Sequence, residues 1–147
     1  MVLSAACNQK TLPPHPAGVI PNDYTHTLRI GNQILKVEIA KDPAAMQQGL
    51  SGRASMDNNQ GMLFDFGSGA PQTPQFWMKD MKFNLDFIWL YKNKIIGITP
   101  DVPAPTNNNP LPLYSPPAPI DQALEVNAGW SRAHGIKVGD EARLNEK

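Results

Sequence analysis

The amino-acid sequence predicts an all-β domain with one or two short helices. The 147 residues include 11 glycines and 15 prolines, a content that favours short strands joined by turns over long helices. Hydrophobic residues make up 41% and charged residues 18% of the chain, which is apolar enough to form a buried core. Several segments alternate apolar and polar side chains, the pattern of strands with one buried face. We therefore expect a single β domain over residues 24–147.

A β-hairpin and a short helix open the predicted domain. Apolar and polar residues alternate over residues 27–30 and 35–39, and Gly31-Asn32 between them fits a tight turn. Asp42 then fits a helix N-cap followed by proline at the first helical position, and Gly49 fits a helix stop. The sequence therefore predicts two antiparallel strands followed by a short helix between Asp42 and Gly49.

The middle of the chain predicts four further strands. Residues 61–66 and 76–79 are largely apolar runs separated by a loop. Residues 85–90 and 94–99 form a second hairpin around Lys92-Asn93. These segments predict a sheet that is antiparallel at its centre.

A proline-rich segment interrupts the strands at residues 100–119. Eight of the fifteen prolines lie there, and proline donates no hydrogen bond to a β-ladder, so we predict a long surface loop. We interpret the loop as a connection, with a docking strip for a partner as the alternative. After it, the sequence predicts a strand over residues 122–126, a helical turn over 128–134 and a closing strand over 141–144.

Residues 1–23 resemble the end of a bacterial lipoprotein signal followed by a tether. Small residues precede Cys7, and polar and proline-rich residues follow it. We expect the sequence to begin inside a longer signal, with Cys7 as the lipidation site and the residues after it as a disordered tether. The alternative is a frayed tail with an ordinary thiol. Cys7 is the single cysteine, which excludes an intramolecular disulfide, and no stretch approaches the length of a membrane-spanning helix.

The charge balance and the absent motifs argue against several function classes. Lysine plus arginine and aspartate plus glutamate both number 13, so no net field attracts nucleic acid or an anionic membrane. No nucleophile elbow and no phosphate-binding glycine loop occurs. The three histidines are scattered, so we predict no metal site and no cofactor. Met78 and Met81 would point to opposite faces of a strand, which favours core packing over a copper site.

Three sequence blocks together resemble one family. They are residues 49–53 leading to 61–64, residues 76–79 leading to 85–88, and residues 124–126 with Gly129 and Gly139-Asp140. In this order and spacing they resemble the domain of unknown function 192 family, over roughly residues 28–144. The resemblance implies a compact antiparallel β-sandwich or jelly-roll-like barrel in a prokaryotic, often exported protein. It implies no established biochemical activity.

Four charged residues are candidates for a site. Asp86 lies within the strand 85–90, both faces of which are apolar, so we expect it to be buried and to need a partner. Arg53 is the preferred partner, because its planar group binds a carboxylate through two hydrogen bonds, and Lys79 is the other candidate. We expect Glu125 to join the same network.

Three functions are consistent with these residues. The first is an envelope-tethered module that binds a small polar or anionic ligand, or an envelope protein, through the four charged residues and a stacking face on Trp77 or Trp89. The second is a hydrolase or lyase for saccharide or cell-wall material, with Asp86 and Glu125 as acid and base. The third is a structural interaction role for the proline-rich loop. For Asp86 and Arg53, the alternative is a buried ion network that only supports the fold. We expect no nucleic-acid partner, and membrane contact only through the lipid.

Overall fold

The computed structural model describes residues 24–107 and 110–145, and its seven strands form one curled half-barrel sheet. The strands are β1 (His26–Ile30), β2 (Gln33–Ala40), β3 (Gln60–Asp65), β4 (Leu85–Tyr91), β5 (Lys94–Val102), β6 (Gln122–Asn127) and β7 (Ala142–Asn145), and the helices are α1 (Pro43–Gln48) and α2 (Trp130–Ala133). The predicted all-β fold class is confirmed. Within these ranges no helix combines the length and apolar character needed to cross a membrane. The predicted lipidation site Cys7 and its tether lie outside the described residues.

The strands follow the order β5-β4-β6-β3-β2-β1-β7 across the sheet. The hairpins β1–β2 and β4–β5 lie where the alternating patterns predict them. Strands β2 and β3 pair in parallel, whereas the other neighbouring pairs in the described sheet are antiparallel. A parallel pair needs a crossover connection, which here contains α1. The final strand β7 pairs with β1, with Thr27 opposite Asn145.

Helix α1 forms between the residues that predict its ends. The Asp42 carboxylate accepts a hydrogen bond from the Ala45 N–H at 2.8 Å, and Pro43 begins the first turn. Gly49 ends the helix with a φ of 48°. Such a short helix is not stable alone, so the burial of Met46 against the sheet holds it in place.

Each face of the sheet carries its own apolar layer. One face carries Phe64 and Phe87, and the segments between the strands lie over it. Phe76 from one of these segments contacts both rings, at centroid distances of 5.3 and 5.4 Å. The other face carries Ile88 and Leu124. We call the face with Phe64 and Phe87 the covered face and the face with Ile88 and Leu124 the opposite face.

The strand predicted over residues 76–79 is wrong. Only an isolated antiparallel bridge forms there, between Phe76 and Tyr114. Phe76 and Met78 of this segment instead pack onto the covered face, where both side chains are buried. Met78 and Met81 both belong to this core, so the opposite orientations predicted for them are also wrong, although the predicted core packing is present.

The proline-rich segment begins inside a strand rather than after it. β5 continues through Pro100 to Val102, so the predicted loop boundary at residue 100 is wrong. Proline is tolerated because β5 is an edge strand, and the pairing with β4 shifts register at this point, where Asp101 has a φ of 53°. Further along, the Pro117 ring packs so closely on Gly97 that a Cβ at Gly97 would lie 2.7 Å from it. The segment is therefore partly integrated into the fold.

Candidate functional site

Asp86 is completely buried on the opposite face, and its carboxylate binds backbone groups rather than a cation. Its Oδ1 accepts hydrogen bonds from the N–H groups of Asp101 at 2.9 Å and Gly129 at 3.1 Å, and its Oδ2 accepts one from Ser131 at 3.0 Å. Asp101 and Gly129 both have positive φ, and Gly129 is the N-cap of α2 but has no side chain to cap it. The predicted pairing of Arg53 with Asp86 is therefore wrong, and we assign Asp86 a structural role.

Glu38 and Glu125 lie in one row across the covered face. Glu38 is opposite Met62 in the β-ladder, and Met62 is opposite Glu125. Residues directly opposite one another on neighbouring strands point to the same face, so the two glutamates project from the same side, about 10 Å apart at the backbone. Asp86 is opposite Val126, the neighbour of Glu125, and therefore points to the other side. The sheet thus separates Asp86 from Glu125.

The loop that follows α1 carries Arg53 to this row. The Ser51 hydroxyl donates a hydrogen bond to the Lys79 carbonyl oxygen at 2.8 Å. The Gly52 N–H donates to the Asp80 carbonyl oxygen at 2.9 Å, and Gly52 has a φ of 79°, which glycine adopts without strain. These two bonds tie the loop to the segment that lies over the covered face, and so they position Arg53.

Arg53 binds Glu38 through both arms of its guanidinium group. Nη1 donates to Oε1 at 2.5 Å and Nη2 donates to Oε2 at 2.8 Å, and Nη1 also lies 3.3 Å from the Tyr24 hydroxyl. The side chains of Arg53 and Glu38 are only 20% and 13% exposed. Burial lowers the pKa of Arg53, but hydrogen bonding and the charge of Glu38 outweigh it, so the pKa of Arg53 is raised. Burial and the charge of Glu38 also raise the pKa of Tyr24.

Glu125 is the unusual member of the row. Its side chain has no exposed surface, and neither carboxylate oxygen has a hydrogen-bond partner among the described residues. Burial raises the pKa of Glu125 well above its ordinary value, and the positive charge of Arg53 offsets only part of this shift. Glu125 therefore keeps its proton to a higher pH than an exposed glutamate, and in that form it both donates and accepts hydrogen bonds. We call Tyr24, Glu38, Arg53 and Glu125 the glutamate–arginine cluster.

Lys79 and Trp77 lie on the segment to which the Arg53 loop is tied. Lys79 is exposed, and its ammonium group lies 5.5 Å from the centroid of the Trp77 ring. Trp77 is half-buried, and its Nε1 is buried without a hydrogen-bond partner in the described part of the chain. Trp89 is instead a core residue, since its ring is buried and its Nε1 donates to the Thr99 hydroxyl at 2.9 Å. Trp77 is thus the one of the two predicted tryptophans that remains a candidate stacking face.

Comparison with known proteins identifies the family. The model of the family DUF192, described as "Uncharacterized ACR", matches residues 26–144. The chain belongs to the DUF192 family. The resemblance predicted from the three sequence blocks is therefore confirmed. A search of the curated proteins finds no match for this DUF192 chain.

Two solved structures are similar to this DUF192 domain. One is a protein from Sinorhizobium meliloti 1021 described as a "putative transcription regulator", with 29% identity and a TM-score of 0.71 over 81% of this chain and 92% of that chain. The other is a protein of unknown function from Novosphingobium aromaticivorans DSM 12444, with 24% identity and a TM-score of 0.70 over 80% of this chain and 83% of that chain. The second similarity shows the fold alone.

Sequence reasoning on this DUF192 chain missed two members of the cluster, Tyr24 and Glu38. Glu38 stands at a polar position of an alternating strand, which is the ordinary pattern of a solvent-facing residue. Only the loop that covers this end of the sheet turns the position into a half-buried one. The signal in the sequence for Glu38 is a carboxylate on the polar face of the first hairpin, where it is a second possible partner for Arg53. Among the described residues, no group of three or more histidine, cysteine, aspartate or glutamate side chains is arranged to hold a metal ion.

Proposed function

We propose that this DUF192 domain is a binding module of the cell envelope that holds a small, neutral, polyhydroxylated ligand at the glutamate–arginine cluster. The observation that carries the proposal is the Glu125 carboxyl group, which is fully buried beside the charge of Arg53 and has no hydrogen-bond partner in the described residues. Buried polar groups in folded proteins are nearly always paired, and an unpaired one is costly. A ligand hydroxyl would supply the missing partner.

The charges of the cluster favour a neutral ligand over an anionic one. Glu38 already neutralises Arg53 through two hydrogen bonds, so the cluster offers no spare positive charge. Glu125 in its protonated form adds no charge but both donates and accepts hydrogen bonds, as a sugar hydroxyl does. The pairing of Arg53 with Glu38 revises the expectation that Arg53 and Lys79 together bind an anionic ligand.

The rim of the cluster offers a route for the ligand. Arg53 and Glu38 keep a small exposed surface, whereas Glu125 has none, so a ligand has to enter beside Arg53 and Glu38 and displace the Arg53 loop to reach Glu125. That loop is held by the Ser51–Lys79 and Gly52–Asp80 hydrogen bonds described above. We assign the stacking role to Trp77, which lies on the same tied segment.

The envelope location rests on Cys7. Small residues before this cysteine and a polar, proline-rich stretch after it are typical of a lipoprotein with a tether. We expect mass spectrometry of the protein from its native host to find Cys7 acylated and in the membrane fraction. An unmodified thiol in a soluble fraction would overturn this part of the proposal and leave the ligand site unaffected.

A hydrolase that uses Asp86 and Glu125 as acid and base is not proposed. The two side chains project from opposite faces of the sheet, and three backbone N–H groups occupy the Asp86 carboxylate. Two carboxylates in that arrangement cannot flank one scissile bond. A transcriptional role, in the words used for the Sinorhizobium protein, is also not proposed, because a formal net charge of zero provides no general attraction to DNA.

Calorimetric titration of the full chain tests the ligand class. The neutral probes are maltotriose, N-acetylglucosamine and glycerol, and the anionic probes are citrate and inorganic phosphate. We expect saturable binding of at least one neutral probe. We expect Glu125→Met, which keeps side-chain bulk but removes hydrogen bonding, to weaken it by about tenfold or more. Glu125→Gln, which still donates and accepts, should stay within about threefold of the original affinity.

The control is Glu141→Gln, which changes an exposed glutamate that pairs with Arg143 at the β7 edge. It should leave binding unchanged. Binding of anionic probes only, no saturation with any neutral probe, or equal affinity for the Glu125→Met variant would contradict the proposal.

A further inference from the structure

A cleft lies beside the carboxyl ends of the parallel strands β2 and β3, apart from Glu125. Its volume is about 460 Å³, within the usual size range of small-molecule sites. The residues that line it are Lys41, Met46, Asp65, Phe66, Gly67 and Gln72. The cleft thus combines one positive and one negative side chain with apolar and amide groups.

The two charged residues of the cleft are brought together by the parallel pairing. Ala40, the last residue of β2, is opposite Phe64 on β3. The residues that follow them, Lys41 and Asp65, therefore lie side by side. They do not form an ion pair with each other, and Lys41 forms none within the described ranges. The Oδ1 of Asp65 accepts a hydrogen bond from the Gly67 N–H at 3.0 Å, which leaves its other oxygen for a ligand.

The remaining lining residues provide an apolar surface with one polar group. Met46 is buried and Phe66 is half-buried, and both belong to or pack against the core of the covered face. Gln72 is exposed, and its backbone pairs with Ile120, which fixes its place while the side-chain amide has no partner among the described residues. A ligand whose apolar part lies on Met46 and Phe66 would find the Gln72 amide as a hydrogen-bonding group in the same cleft.

We propose that this cleft binds a zwitterionic small molecule with an apolar body, the chemical class of amino acids and short peptides. The ligand carboxylate pairs with Lys41, its ammonium group pairs with Asp65, and its apolar part covers Met46 and Phe66. A ligand with a single charge would pair with one of the two side chains and leave the other without a partner of opposite charge. A zwitterion satisfies both without changing the net charge of the cleft.

This site is independent of the glutamate–arginine cluster. None of the four cluster residues lines the cleft, and Lys41 lies three residues beyond Glu38, about 10 Å along an extended chain. Variants of Glu125 are therefore expected to leave binding in the cleft unchanged, so the two proposals fail or succeed separately.

The test uses the dipeptide leucyl-leucine and two derivatives that each lack one charge. N-acetylation removes the ammonium group, and C-terminal amidation removes the carboxylate. We expect the full chain to bind the unmodified dipeptide best in a calorimetric titration. Lys41→Gln should weaken the unmodified dipeptide by about two- to fivefold and leave the amidated one unchanged. Asp65→Asn should weaken the unmodified dipeptide by a similar factor and leave the acetylated one unchanged.

Each result supports or overturns the assignment. Both substitutions are at positions that are not fully buried, and Asp65→Asn keeps the oxygen that accepts from Gly67, so unchanged melting midpoints are expected. The site is supported if each variant loses affinity only for the peptides that still carry the charge its replaced side chain would pair with. Failure of the unmodified dipeptide to bind, or equal losses for all three peptides in either variant, overturns it.

Discussion

Replacing Asp86 by alanine is expected to lower the free energy of unfolding by about 4 kcal/mol or more, because three backbone N–H groups lose a charged acceptor in the interior. Two of these groups belong to Asp101 and Gly129, whose positive φ values the carboxylate helps to maintain. Asp86→Asn keeps one oxygen but turns an amide N–H toward a donor, so we expect a loss of about 2 kcal/mol. Urea unfolding monitored by tryptophan fluorescence measures both values.

A second aspartate provides the matched comparison. Asp42 caps α1 through one hydrogen bond to the Ala45 N–H and is exposed, so Asp42→Ala should cost about 1 kcal/mol. Asp86 serves α2 in a similar way, but from another strand and from the interior. If Asp86→Ala proves no more destabilising than Asp42→Ala, the structural role assigned to Asp86 is wrong.

The stability of the domain should fall as pH rises above the ordinary pKa of glutamate. Burial raises the pKa of Glu125 in the folded state, so in this window the folded chain holds a proton that the unfolded chain has released. The stabilisation is complete below the ordinary pKa and is lost as pH rises toward the raised one, by up to about 1.4 kcal/mol per pH unit. Glu125→Gln cannot titrate, so the free energy of unfolding of this variant, relative to the original chain, should increase with pH at that slope.

Unfolding curves at successive pH values check this expectation. The control is again Glu141→Gln, whose stability relative to the original chain should not vary with pH in this way, because Glu141 is exposed. Arg53 and Glu38 are the charged groups nearest to Glu125 in the cluster, and they are the same in both variants. A Glu125→Gln variant whose stability difference stays constant with pH would contradict the raised pKa of Glu125.

Local patterns in the sequence predict most of the strands, because alternation and turn residues act over a few positions. The hairpins β1–β2 and β4–β5 and the capped helix α1 all lie where those patterns indicate. The parallel pairing of β2 with β3 depends on how a long connection packs, and no short pattern records it. The predicted strand at residues 76–79 failed for a related reason: its large side chains are buried by packing over a sheet rather than within one.

The candidate site is harder to predict than the strands that carry it. Alternation within one strand correctly indicates that Asp86 is buried, but only the register between β4 and β6 shows that Asp86 and Glu125 face different sides. The prediction that Asp86 is the partner of Arg53 is wrong for the same reason. Arg53 and Glu38 lie on the same side of the sheet, whereas Asp86 points to the other side. Single-strand periodicity assigns a residue to a face but does not relate the faces of different strands.

The pairing of β7 with β1 has a consequence for the order in which the sheet is completed. Thr27 on β1 pairs with Asn145 on β7. The ribosome therefore synthesises almost all of the domain before β7 is available to pair with β1. Joining residues so distant in sequence requires closing a very large loop, which is slow compared with forming a hairpin. Until then β1 has a neighbour on only one side, so a nascent chain keeps an open strand edge that another chain can still pair with.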